Sequence, residues 1–291
     1  MFGRVITAMA TPFDASGALD LERARALAEH LVAHGSDGLV LAGSTGESPT
    51  LSFEEKRDLF GAVADAVGAR ADVIAGTGTY DTRESIHLST MAAEQGVDGL
   101  LVVTPYYSRP PQSGLLAHFR AVAAATDLPV ILYDIPSRTA RKIEHETILK
   151  LAEVPNIIGV KDAAGDLAGT ARLAAEKPDD FTIWSGDDAL TLPMLALGAH
   201  GVVSVASHLV GPRLQALVEA HSKGDADLAA AINRELVPLF DVLFVTSNPI
   251  PLKAALEMVG QPAGDPRLPL IPATDAEKTK VRAVLQTLGL V

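Results

Sequence analysis

The 291-residue sequence has no cysteine. Disulfides, zinc–thiolate centres and cysteine nucleophiles are therefore excluded, although the compartment is not identified by this alone. No cluster of basic residues suggests a nucleic-acid surface. No run approaches the roughly 20 apolar residues of a membrane-spanning helix. Several catalytic signatures are also missing. There is no H-E-x-x-H, no G-x-S-x-G, and no Gly-Lys-Ser/Thr after a glycine loop. Gly76-Thr77-Gly78 lacks the third glycine of a dinucleotide loop and reads as a barrel turn. Ala8-Met9-Ala10 faintly resembles a signal-cleavage site, but the apolar stretch before it is short and only Arg4 is basic. That segment reads better as a first strand, Val5 to Met9, and a cytoplasmic enzyme is expected.

What is present is a soluble, acidic, core-forming composition. Hydrophobic residues make up 48% of the chain and charged residues 21%, with a net charge of -12. A large core is affordable at this length, and the acidity argues against a polyanionic partner. One barrel-type domain with an appendage fits as well as two small domains.

Short apolar runs alternate with amphipathic stretches along most of the chain. The spacing predicts strands near Val5–Met9, Gly38–Leu41, Val73–Ala75, Leu100–Val103, Val130–Tyr133, Ile157–Val160, Thr182–Trp184 and Val202–Val205. Leu21, Ala24, Ala28, Leu31 and Val32 share one helical face, with Asp20 as N-cap and a stop at Gly35. Ser52 and Glu55 form a capping box, and Asp81 with Glu84 suggests another. Gly35-Ser36-Asp37-Gly38, Gly96-Val97-Asp98-Gly99 and Gly198-Ala199-His200-Gly201 each precede a strand. The first glycine suits a helix end and the second opens the strand.

Eight such units with parallel strands imply an α/β fold, a closed (β/α)8 TIM barrel. An open doubly wound sheet is the alternative, without a dinucleotide fingerprint to support it. Strand signals stop near Gly224. Residues 1–224 are thus expected to form the catalytic barrel and 225–291 a C-terminal helical domain, its helices broken by Pro238, Pro249 and Pro251.

In such barrels the site lies at the C-terminal strand ends. Lys161 ends one apolar run. Burial disfavours the ammonium form of a lysine and leaves a nucleophilic amine, able to form a Schiff base with a ketone. The bland alternative is a lysine that reaches out into water. Tyr133 ends the preceding run and supplies a proton carrier. The loop Gly43-Ser44-Thr45-Gly46 offers amides and hydroxyls to an anion, or is simply structural. Arg138 suits a two-pronged clamp on a carboxylate, or a surface ion pair. Tyr106 and Tyr107 are catalytic candidates or packing aromatics. Asp187 and Asp188 lack a histidine at ligand spacing, so hydrogen-bonding and loop-shaping roles are expected for them, and no metal.

Five segments together carry a resemblance: AGSTGESPT from Ala42, VVTPYYSRP from Val102, LYDIPSRT from Leu132, IGVKD from Ile158 and WSGDD from Trp184. They resemble the dihydrodipicolinate synthase family, within the pyruvate-dependent class I aldolases that also include N-acetylneuraminate lyase. The likeness spans the whole chain, including NPIPLK from Asn248. It implies condensation of pyruvate with aspartate 4-semialdehyde to 4-hydroxy-tetrahydrodipicolinate, the step leading toward diaminopimelate and lysine, with no metal or organic cofactor. It implies a homotetramer. Lys161 would form the Schiff base, Tyr133 would relay protons, and Ser44 would link Tyr133 to a Tyr107 lent by a neighbouring subunit. Thr45 would hold the pyruvate carboxylate and Arg138 that of the semialdehyde. Gly186 and Val203 would line the site through backbone groups.

The family's usual G-T-T-G-E reads G-S-T-G-E here, so position 44 keeps its hydroxyl but loses a rotamer-fixing methyl. Serine at this place is shared with the sialic acid lyases, and a lyase acting on a sugar acid is the alternative activity. A catalytically silent barrel serving as a binding subunit is the third reading. At positions matching the family's lysine-feedback site stand Phe53, Lys56 and Tyr80, with Ser48, Glu84 and Tyr106 retained. Weak or absent inhibition by lysine is expected, because a cation at Lys56 repels the ligand.

Overall fold

The computed structural model describes residues 1–291. The strands are β1 Val5–Ala8, β2 Gly38–Leu41, β3 Asp72–Gly76, β4 Gly99–Val103, β5 Val130–Asp134, β6 Ile157–Asp162, β7 Thr182–Ser185 and β8 Gly201–Ser204. All pair in parallel with their sequence neighbours, and β8 closes onto β1. Every expected strand is present, with small shifts at the ends. β6 runs on through Lys161 to Asp162, so the lysine lies within the ladder.

Strand alternation sorts the side chains into two layers. Ile6, Val40, Ile74, Leu101, Ile131, Tyr133, Trp184 and Val203 pack together inside the barrel. Their alternates, such as Leu39, Leu100 and Leu132, join the larger cluster beneath the helices. Phe2 fills the barrel floor, where a Cβ on Gly99 would lie 2.4 Å from its ring. Trp184 is fully buried, and its indole N–H donates to the Gly3 carbonyl at 3.0 Å. A buried indole so satisfied contributes its apolar area without an orphaned donor.

The recurring glycine pairs have the expected division of labour. Gly35, Gly96 and Gly198 take φ of +94°, +76° and +101° at the helix exits, a region L side chains avoid. At β8, a Cβ on Gly201 would come within 1.9 Å of the Arg4 carbonyl oxygen.

Asp20 caps the helix Leu21–Ala33. Ser52 and Glu55 close a capping box on Phe53–Val67. At the helix Thr82–Glu94, Asp81 caps alone, accepting from the Arg83 amide. Glu84 does not reciprocate, and its charge acts on Lys56 instead.

Beyond β8 come the helices Ser207–Ser222, Ala226–Val242, Ile250–Met258 and Asp275–Thr287. Pro238 does not break its helix. The segment continues through it, because Leu236, Leu239 and Phe240 pack into the core on either side. The same cluster runs from barrel residues into Leu252 and Val281, so no seam separates barrel from C-terminal helices. No helix is long and apolar enough to cross a membrane.

Candidate active site

Tyr133 and Lys161 are register partners on β5 and β6. Both are buried, Lys161 at 5% exposure. The Lys161 Nζ stands over the Tyr133 ring, 4.2 Å from its centroid. This contact holds the end of a long side chain over the ring, and no carboxylate pairs with it. The space around the lysine is kept by a glycine. A Cβ on Gly186 would lie 3.2 Å from Lys161 Cε and 2.7 Å from Ala163 Cβ. Two residues before the lysine, a Cβ on Gly159 would instead meet the neighbouring strand β7, 2.2 Å from the Thr182 carbonyl oxygen and 2.8 Å from the Trp184 ring.

A cavity of about 330 Å³ opens beside this pair, with Ser44, Tyr106, Tyr133, Arg138 and Asn248 among its walls. That size suits a small ligand. Lys161, Gly186 and Val203 are not among its walls; Lys161 is next to it through Tyr133, which is. Arg138 forms no ion pair with the protein, and its one contact is a long 3.5 Å approach to the Asn248 carbonyl. Ser44 and Tyr133 share the cavity wall without a hydrogen bond between them.

Thr45 does not line the cavity. It is buried, and its hydroxyl oxygen accepts from the Asn248 side-chain amide at 2.9 Å. Its own hydroxyl proton is left free to donate. Tyr106 faces the cavity, edge-on to Tyr80 at 5.4 Å, and burial pushes its phenol pKa up. Tyr107 is 93% exposed and has a φ of +67°. Within one chain it lies outside the cavity.

The S-G-D-D loop is built by hydrogen bonds. Asp187 accepts from the Ala189 amide at 2.9 Å. Asp188 is buried and accepts from the Ser204 hydroxyl and from the Val205 and Ala206 amides. Burial pushes its carboxyl pKa up, against those three donors.

Behind the Ser44 loop lies a support that the sequence reading did not assign. Lys253 Nζ lies 2.8 Å from Glu47 Oε1, with side-chain exposures of 2% and 1%. Glu47 Oε2 accepts from the Arg267 amide at 2.8 Å. Arg267 in turn pairs with Glu55 and donates to the Gly17 and Thr50 carbonyls. The Lys253 and Arg267 cations both lie over the Phe13 ring, each 4.2 Å from its centroid. Asn248 is the second such residue, through Thr45. Glu47 lies in the AGSTGESPT segment and Asn248, with Lys253, in NPIPLK. The usable signal was a buried acid in one motif and a buried base in another.

Comparison with known proteins agrees with this geometry. The profile of the Dihydrodipicolinate synthetase family matches residues 1–288. A 4-hydroxy-tetrahydrodipicolinate synthase from Moorella thermoacetica is 57% identical, covering 99% of both chains. One from Thermosynechococcus vestitus is 55% identical over 99% of this chain and 98% of its own. Among solved structures, lysine-bound dihydrodipicolinate synthase from Cyanidioschyzon merolae superposes with a TM-score of 0.98 at 47% identity, covering 100% of this chain and 99% of its own. A monomeric dihydrodipicolinate synthase variant superposes at 0.97 and 36% identity, covering 100% and 98%. With a buried lysine over a tyrosine at the barrel's catalytic end and likeness along its full length, the chain belongs to the dihydrodipicolinate synthetase family.

Proposed function

We propose that the chain condenses pyruvate with L-aspartate 4-semialdehyde, through a Schiff base on Lys161, to give 4-hydroxy-tetrahydrodipicolinate. The observation that carries this reading is the Lys161 amine over the Tyr133 ring at paired strand ends. The names of the Moorella and Thermosynechococcus relatives point to the same activity.

The Lys161 amine adds to the pyruvate ketone, and loss of one water leaves an iminium. Its nitrogen withdraws electrons, so the methyl group loses a proton and becomes an enamine carbon. That carbon attacks the semialdehyde, whose oxygen takes up a proton. The acceptor's own amine then displaces Lys161 from the iminium carbon, closing the ring and freeing the enzyme. Electrons stay within the two substrates, so the cycle calls for no redox partner.

Tyr133 is assigned the proton relay, which a hydroxyl in a hydroxyl chain performs in both directions. Ser44 would extend that chain to Tyr107 of a neighbouring subunit. The support for this is the exposed, left-handed Tyr107, a strained residue with no role inside its own chain. A homotetramer is proposed on the same ground. Thr45, with a free hydroxyl proton, and the adjacent backbone would take the pyruvate carboxylate. Arg138, free of protein carboxylates, would take that of the semialdehyde. Gly186 and Val203 would contribute backbone groups. We assign residues 1–224 to the catalytic barrel and 225–291 to the helical domain, and place the enzyme in the cytoplasm.

The test is pyruvate consumption with aspartate 4-semialdehyde, coupled to a downstream reductase and its nicotinamide signal. Turnover supports the synthase. No turnover, with pyruvate still trapped on Lys161 by borohydride, turns the reading to a sugar-acid lyase. Failure of both leaves a silent barrel.

A further inference from the structure

Asp134 and Asp162 directly follow Tyr133 and Lys161, and are themselves register partners across β5 and β6. Strand alternation turns them away from the barrel interior. They meet in a cavity of about 210 Å³ under the helices His145–Ala152 and Leu167–Glu176. This cavity lies on the opposite side of the strands from Lys161.

The two carboxylates are held unequally. Asp162 accepts from the Ala164 amide at 2.9 Å and the Thr170 hydroxyl at 2.7 Å. Asp134 is 2% exposed and accepts one hydrogen bond, from the Ile143 amide at 3.1 Å. The basic side chains lining the cavity are engaged with other acids. Lys142 pairs with Asp166 at 2.7 Å. His145 and Arg172 both pair with Glu176, at 2.9 Å and 3.2 Å. Glu144 adds a further negative charge to the lining. Burial first, and then the charges of Asp162 and Glu144, push the Asp134 carboxyl up to about 7, against the Ile143 amide and Lys142.

We propose that Asp134 is a positioning residue for the reaction. Neutral, it lets the ends of β5 and β6 close together and holds Tyr133 against Lys161. Ionised, it repels Asp162, and the two strand ends are drawn apart. It touches no substrate, so its effect falls on kcat rather than on KM for pyruvate. The proposal rests on the catalytic assignment of Lys161 and Tyr133.

The experiment compares Asp134→Asn and Asp162→Asn with the wild type across pH, with Asp58→Asn, at an exposed carboxylate on the helix Phe53–Val67, as control. Either replacement removes the repulsion. The ratio of variant to wild-type kcat is expected to rise about threefold or more between about pH 6 and about pH 8.5, while the control ratio stays flat. A purely structural defect lowers the rate by a factor that does not follow this ionisation. A flat ratio in both variants overturns the proposal, as does loss of folding in both, seen by near-ultraviolet circular dichroism. Borohydride trapping of pyruvate on wild-type Lys161 separates the two levels. Trapping with a flat ratio overturns only the role of Asp134. Failure to trap overturns the Lys161 assignment and this proposal with it.

Discussion

Glu47 and Lys253 form a buried ion pair that fastens the C-terminal helices to the loop carrying Ser44 and Thr45. Glu47 holds a left-handed backbone, with φ of +55°, to reach it. Breaking one side of such a pair leaves an uncompensated buried charge. Lys253→Met is expected to lower stability by about 3 kcal/mol. Glu47→Gln/Lys253→Met should recover most of the loss, since Gln still accepts from the Arg267 amide. Urea unfolding of the two variants checks this. A double variant no more stable than Lys253→Met would contradict this recovery.

Lys161→Ala is expected to abolish turnover, because no other amine stands at the strand ends to form the imine. Tyr133→Phe removes only a hydroxyl and should lower kcat by about 100-fold or more, with the fold intact. Steady-state rates and circular dichroism test both. Wild-type rates in either variant would refute the assignment.

Gly186→Ala places a methyl group 2.7 Å from Ala163 Cβ and 3.2 Å from Lys161 Cε. Either the loop or the lysine must yield. A drop in kcat of about tenfold is expected, with slower trapping of pyruvate by borohydride. Unchanged trapping kinetics would mean that the lysine has slack the geometry does not reveal.

His208 is buried as the neutral tautomer. Its Nδ1 faces the Val205 carbonyl at 2.8 Å, while Nε2 accepts from the Ala10 amide at 3.0 Å. Burial pushes its pKa down from 6.5 to about 4. The unfolded chain therefore gains this proton first as pH falls. Stability from this group is full above about pH 6.5 and is lost progressively down to about pH 4. Asp134 acts in the opposite sense, so total stability is a poor readout. The difference between wild type and His208→Gln isolates the term. That difference should shrink by about 3 kcal/mol over the same window. A constant difference in denaturant titrations would contradict it.

Added lysine is expected to inhibit weakly or not at all. Lys56 is buried, and burial pushes its amine pKa down against the charge of Glu84. Phe53 stacks on His87 with centroids 4.4 Å apart. An amine therefore already opposes Glu84. Strong inhibition in the steady-state assay would overturn this.

The strands and most caps were legible because their causes are local. Alternating apolar runs, the Ser52–Glu55 box and the paired glycines each act within a few residues. Lys161 and Tyr133 were legible for a related reason: polar groups ending apolar runs are conspicuous. Pro238 misled because packing of Leu236 and Leu239 overrides one missing hydrogen bond. Glu84 misled because its charge serves a residue on another helix. Glu47, Lys253 and Asn248 were opaque as a set. Their partnership depends on the far end of the chain folding back over β2, and no periodicity records that.

That fold-back has a consequence for how the protein is made. The loop after β2 leaves the ribosome early, yet Thr45 waits for Asn248, and Glu47 for Lys253 and Arg267. A nascent chain with its first strands assembled would still hold an unbraced Ser44–Glu47 loop. The bracing of that loop is thereby deferred until translation nears its end.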